Sequence, residues 1–131
     1  MGTTTDAALR VLIVDDELLI RWSLAEALVQ AGHHVVQASD GAAALCALRQ
    51  AREPLDVILL DLRLPDSDDL TLLTHIRRAS PATSVVLMTT YGSPELRAGA
   101  LRLGACRVLD KPFDISEVND VVLRANRRRS N

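Results

Sequence analysis

The chain has 131 residues, 48% of them hydrophobic and 24% charged, a balance that fits one domain burying about two thirds of its unfolded surface. A formal charge of −2 argues against a dedicated nucleic-acid binder, and no apolar stretch approaches the ~20 residues needed to span a bilayer. Residues 1–8 show no secretory signal, and Cys46 and Cys106 lack metal-type spacing, so both read as reduced core thiols of a cytoplasmic protein.

With one Trp, one Tyr and one Phe, the core falls to Val, Leu, Ile and Ala. Strand-like and helix-like patterns alternate five times. The first strand covers residues 11–14 and ends on Asp15-Asp16. A helix follows over 18–31, with Leu19, Trp22, Leu24, Ala27 and Leu28 as its apolar face and Gly32 just past its end. His33 and His34 then read as turn residues. Val35-Val36 begins a short second strand, and Ser39-Asp40 can cap a helix reaching about Ala51. The third strand, 57–60, is apolar at every position, which suits burial on both faces, and it ends on Asp61.

The third helix, 70–78, carries Leu70, Leu73 and Thr74 on one side and stops at Pro81. The fourth strand, 85–89, ends on Thr89. Ser93-Pro94-Glu95 supplies an N-cap, a proline at the first helical position and an early acid, and Gly104 closes that helix. Val108-Leu109 forms the fifth strand and leads into Asp110-Lys111. Asp114-Ile115-Ser116-Glu117 resembles a capping box opening a last helix with Ile115, Val118, Val122 and Leu123 as its stripe.

Strands separated by single helices imply right-handed crossovers and a parallel sheet with helices on both faces. The expected fold is a flavodoxin-like (βα)5 sandwich with strand order 2-1-3-4-5, whose crevice opens where the order reverses, between the first and third strands. Asp15, Asp16, Asp61, Thr89 and Lys111 then share one edge. Three carboxylates there repel one another by about 4 kcal/mol per pair at ~4 Å and an effective dielectric of ~20. Either their pKa values rise or a hard divalent cation neutralises them, and Mg²⁺ suits oxygen ligands that leave room for phosphate. Asp61 is the candidate nucleophile, Lys111 a mobile charge and Thr89 a hydroxyl for phosphoryl oxygens, with the backbone N–H groups of Leu62 and Thr90 as further donors. Taken singly, the acidic pair is a helix cap, Asp61 a turn cap before Pro65, Thr89 a strand residue and Lys111 a solvated turn residue. Their joint placement at successive strand ends favours the site.

The segments 11–17, 61–65 (Asp-Leu-Arg-Leu-Pro), 88–92 (Met-Thr-Thr-Tyr-Gly), Gly104-Ala105 and 111–113 (Lys-Pro-Phe) resemble the receiver domain of bacterial two-component response regulators. The similarity covers about residues 9–127 and is greatest to receivers of the nitrogen-regulatory kind. It implies a domain over 9–127, a flexible N-terminus over 1–8 and a basic C-terminal tail or linker stub over 128–131. It further implies phosphoryl transfer from a sensor histidine kinase to Asp61. Asp16, Asp61 and the carbonyl of Arg63 would ligate Mg²⁺, with Asp15 acting through a bound water. Thr89 and Lys111 would contact the phosphoryl group, and movement of Thr89 would reshape the face of the fourth helix, fifth strand and fifth helix for an effector or output domain. Self-phosphorylation and autodephosphorylation are the only activities implied. Neither nucleic acid nor membrane is an expected direct partner.

The chain departs from that pattern at Val108, where an aromatic switch residue is usual, at Asp69, where glycine with positive φ is usual, and at Thr90, where alanine is commoner. Positive φ at Asp69 predicts backbone strain. Arg63 and Tyr91 border the path of attacking water and are expected to retard hydrolysis. Trp22 reads as a core or partner-facing anchor. Arg97, Arg102 and Arg107 outline a face for a homodimer, and Arg124, Arg127, Arg128 and Arg129 a basic helix end. His75 lacks a phosphorelay setting. A haloacid-dehalogenase-like phosphatase is a second reading, although Arg63 stands where its second acid belongs. A degenerate receiver acting only as an interaction module is a third, and a flavodoxin-like nucleotide binder is disfavoured by the acids after the first strand.

Overall fold

In the computed structural model, which describes residues 8–130, the strands and helices follow the predicted alternation. They are β1 (Arg10–Val14), α1 (Leu18–Gln30), β2 (His34–Ala38), α2 (Gly41–Gln50), β3 (Val57–Asp61), α3 (Thr71–Ala79), β4 (Ser84–Thr89), α4 (Pro94–Arg102), β5 (Arg107–Asp110) and α5 (Val118–Ser130), the last entered through a 3-10 turn, Ile115–Glu117. The strands form one parallel sheet in the order β2-β1-β3-β4-β5. β1 and β3 are neighbours although a strand separates them in sequence, which creates the crevice at their carboxyl ends.

Side chains alternate across the sheet and divide the core in two. Leu12, Val14, Ile58, Leu60, Val85 and Leu87 face α2, α3 and α4, meeting Ala44, Leu72, Leu73, Ile76 and Ala100. Val11, Ile13, Val57, Leu59, Val86 and Met88 face α1 and α5, meeting Leu24, Leu28, Val118, Val122 and Ala125. The continuous apolar run of β3 therefore serves both layers at once.

Helix ends follow the local chemistry. Asp40 accepts from Ala43 N–H and Ser93 from Leu96 N–H, while Pro94 opens α4. Gly32 and Gly104 both take positive φ, +99° and +107°, where a Cβ would be strained. Asp114 accepts from Ser116 N–H and Oγ, one residue earlier than a capping box requires, so the helix begins as a 3-10 turn.

Several expectations need correction. Leu19 and Trp22 do not join the inner face of α1, where Leu24, Ala25 and Leu28 are buried. They are 78% and 56% exposed, while Ile20 of the same turn packs against the core. The inner face of α3 is Leu72, Leu73 and Ile76, about one residue round from the expected stripe, since the chain enters that helix at Thr71. Asp69 carries no backbone strain: among the described residues only glycines have positive φ. Its carboxylate instead accepts from Thr71 N–H at 2.9 Å and caps α3, which holds its pKa below the usual value.

Neither His33 nor His34 is a turn residue: the turn is Ala31–Gly32, His34 opens β2, and His33 is buried. Its Nδ1 accepts from Leu9 N–H at 3.0 Å, and its Nε2 lies 2.7 Å from Asn119 Oδ1, joining the start of β1 to α5. The backbone of α5 runs to Ser130, through most of the segment expected as a tail. The expectation of a flexible N-terminus falls, apart from Ala8, outside the described residues.

Candidate phosphoryl and metal site

Each strand of the crevice ends on a group the chemistry needs. After β1, Asp15 is fully buried. Its Oδ1 accepts from Glu17 N–H at 2.9 Å and its Oδ2 from Lys111 Nζ at 2.8 Å. Its own backbone is held from both sides: Asp15 N–H donates to Ala38 O at 3.1 Å, and Arg21 Nη1 donates to Asp15 O at 2.7 Å. Asp16 is exposed at the mouth, yet one oxygen from each of Asp15, Asp16 and Asp61 lies within 4.8 Å of the others. Asp61, at the end of β3, is 6% exposed and stands 3.3 Å from Lys111 Nζ. Lys111 also lies 3.6 Å from Glu17, and its peptide bond to Pro112 is cis.

Burial raises the pKa of Asp61 to about 6 and the charge of Asp15 pushes the same way, against the lowering pull of Lys111 and the Arg63 amide. Burial alone would lower Lys111. The hydrogen bond to Asp15 and the charges of Asp61 and Asp15 more than offset it, so its pKa lies above the usual lysine range. One ammonium thus faces two buried carboxylates and a third near the surface. Such an excess of anionic oxygen, with one ligand open to solvent, fits a hard divalent cation that keeps several waters. Mg²⁺ there would be held by Asp16 and Asp61, with Asp15 behind, and would supply charge neutralisation for phosphate oxygens.

The backbone donors differ from expectation at one position. Leu62 N–H is taken by Met88 O at 2.9 Å, because it continues the β3–β4 ladder. It is Arg63 N–H that points to Asp61, at 3.3 Å from Oδ1. A donor facing the Asp61 carboxylate therefore lies two residues past it, which strand alternation could have suggested. Thr89 is buried and its Oγ1 accepts from Tyr91 N–H at 3.3 Å, while Thr90 is exposed beside it. The Arg63 guanidinium stacks over Tyr91, 5.8 Å from the ring centroid, and Tyr91 is 78% exposed. Val108 is buried against the layer that holds Ala100 and Leu96. Arg97 donates to Val108 O at 3.1 Å and pairs with Asp110 on the same face.

Beside the acids, an apolar cavity of about 440 Å³ opens between α1 and the segment after β5, lined by Leu19, Ile20, Phe113 and Ile115 together with Lys111 and Thr90. Arg21 and Asp66 had no local sequence signal. Arg21 donates to the backbone carbonyl of Asp15, and Asp66 accepts from two amides at the start of α2. No helix among the described residues is long and apolar enough to cross a membrane.

The model of the response regulator receiver domain matches residues 11–123. The chain is 39% identical over 116 residues to the regulatory protein AtoC of Escherichia coli K12, covering 88% of this chain and 25% of that protein. It is 34% identical over 122 residues to sporulation initiation phosphotransferase F of Bacillus subtilis 168, covering 93% of this chain and 97% of that one. Among solved structures, a CheY-like receiver domain from Methanospirillum hungatei JF-1 superposes with a TM-score of 0.86 at 25% identity, covering 95% and 98% of the two chains. NtrX from Brucella abortus gives 0.85 at 32% identity, covering 95% of this chain and 28% of that one. The chain spans about a quarter of the length of the first curated relatives it matches. With the strand order and the acidic crevice pointing the same way, the chain belongs to the response regulator receiver domain family of two-component systems.

Proposed function

We propose that this domain accepts a phosphoryl group on Asp61 from the phosphohistidine of a sensor histidine kinase, with Mg²⁺ bound, and passes the change on through protein contacts. The observation that carries the reading is Lys111 Nζ standing between Asp15 and Asp61 at 2.8 and 3.3 Å, beside a third carboxylate that completes a cation site. In this reading Asp61 attacks phosphorus in line and the histidine leaves. Lys111 and the N–H groups of Arg63 and Thr90 hold the phosphoryl oxygens, and Thr89 donates its hydroxyl to one of them. Asp16, Asp61 and the Arg63 carbonyl are the direct metal ligands, with Asp15 acting through water. The same site hydrolyses its acyl phosphate, and the Arg63–Tyr91 stack over its mouth slows that step.

The phosphodonor's domain covers the apolar cavity between α1 and the post-β5 segment, a reading supported by its continuity with Lys111 and Thr90. The α4-β5-α5 face receives Thr89 movement and contacts an output domain, effector or second copy. The functional unit is residues 9–127 of a cytoplasmic regulator, and neither nucleic acid nor membrane is its direct partner. The degenerate-module reading rested on Val108 and Asp69, and it loses the second, since Asp69 is unstrained.

The test is incubation with acetyl phosphate or beryllofluoride, with and without Mg²⁺. An adduct on Asp61 that requires the metal is expected. Catalytic turnover of a stable phosphomonoester, or neither metal binding nor modification, would overturn the reading.

A further inference from the structure

The loop after β3 makes a long-range contact that phosphoryl chemistry itself does not use. Asp66 Oδ1 accepts from Gly41 N–H at 2.8 Å and its Oδ2 from Ala42 N–H at 3.0 Å. Asp40 takes the next amide, Ala43 N–H, at 2.7 Å. The open amides at the start of α2 are thus shared between a local cap and a carboxylate from a different loop. Those two amides hold the Asp66 carboxyl below the usual carboxylate range, so it is ionised at neutral pH and faces the positive end of the helix.

The same helix start is tied to the other acidic loop. Ala38, two residues before the Asp40 cap, accepts the Asp15 N–H at 3.1 Å. On the far side, Leu64 and Ser67 exchange backbone hydrogen bonds of 2.8 and 3.2 Å, closing a tight turn with Pro65 and Asp66 at its corner. Movement of Asp66 is therefore carried to the buried Leu64 and to Arg63 before it. The fit at the helix is close: a Cβ on Gly41 would come within 3.1 Å of both Asp66 Oδ1 and Leu72 Cδ2. Asp69 makes a similar cap one turn later, but only to its own helix, and joins no two loops.

We propose that Asp66 is a positioning residue for the divalent-cation site, strapping the loop of Asp61 and Arg63 through α2 to the loop of Asp15 and Asp16. Without the strap the Arg63 carbonyl and the acid pair are held less firmly in register, and cation binding must supply the ordering. The inference rests on the metal site proposed above, and its test separates the two.

Mg²⁺ is titrated calorimetrically into the unphosphorylated chain and its Asp66→Ala, Asp66→Asn, Gly41→Ala and Asp69→Ala variants, each checked for folding by circular dichroism. Asp66→Ala is expected to weaken Mg²⁺ binding about tenfold, the scale found when groups that orient metal ligands are removed. Gly41→Ala moves the same way, Asp66→Asn recovers part of the affinity and Asp69→Ala stays near wild type. Amide exchange at Gly41 and Ala42 accelerates in Asp66→Ala and is partly restored by saturating Mg²⁺. Wild-type affinity in folded Asp66→Ala, or an equal loss in Asp69→Ala, overturns the strap alone. If Asp66→Ala does not fold, unchanged affinity in both Asp66→Asn and Gly41→Ala overturns it. Absence of Mg²⁺ binding in the wild type overturns the strap and the metal site together.

Discussion

Replacing Asp61 by Asn is expected to make the metal-free protein more stable. Folding raises this carboxyl from 3.8 to about 6, through burial first and the charge of Asp15 second. The folded chain therefore holds a proton that the unfolded chain releases, and stability falls as pH rises from 3.8 through 6. Above that window the loss amounts to about 3 kcal/mol at 1.36 kcal/mol per pKa unit. Lys111 contributes in the opposite sense, but its raised pKa makes that contribution fully present across this range and lost only at alkaline pH. Asn keeps the shape and removes the charge. In buffer containing a chelator, thermal and urea unfolding should show Asp61→Asn more stable by about 3 kcal/mol at pH 7.5, or about 10 °C in Tm for a chain of this size. The gap should narrow to about 1 kcal/mol at pH 4.5, where wild-type Asp61 is largely protonated in the fold. Adding Mg²⁺ should raise the wild type and leave the variant nearly unmoved. A gap that does not change with pH, or a variant less stable than wild type at pH 7.5, would refute the reasoning.

Lys111→Met leaves Asp15 and Asp61 buried without their counter-charge, and a loss of about 3–5 kcal/mol at neutral pH is expected, shrinking when Mg²⁺ is added. Chemical denaturation with and without the metal checks it, and equal losses in both conditions would count against the shared-site electrostatics. Arg63→Ala or Tyr91→Ala opens the mouth of the site and should shorten the lifetime of the acyl phosphate severalfold. Loss of phosphate followed after rapid removal of acetyl phosphate measures this, and unchanged lifetimes in both variants would remove the shielding role. His33→Ala takes the acceptor from Leu9 N–H and the partner from Asn119, so destabilisation of about 1–3 kcal/mol is expected with no change in Mg²⁺ affinity. Coupled loss of metal binding would show that this staple reaches the crevice.

The strand ends were readable in the chain because each apolar run stops on a chemically distinct residue, and a buried parallel strand needs no partner to announce itself. Helix alternation then fixed the right-handed crossovers, so the layered fold and the joint placement of Asp15, Asp16, Asp61, Thr89 and Lys111 followed from local pattern and one topological rule. Other features depend on which surfaces meet. Leu19 and Trp22 have the spacing of a core stripe, but only the packed helix, which buries Leu24, Ala25 and Leu28, shows that they stay exposed. Leu62 and Arg63 differ by one residue, and the ladder to β4 decides which amide is left for Asp61. Asp69 looked strained because a position was judged by its usual occupant, whereas its own backbone takes negative φ and its side chain caps α3. His33 and Asp66 meet partners 86 and 25 residues away, Asn119 and Gly41, and no local periodicity encodes such a meeting. Short-range propensity determines where elements begin and end; the balance of burial, charge and long-range hydrogen bonding, which exists only once the chain is packed, decides what each polar group faces.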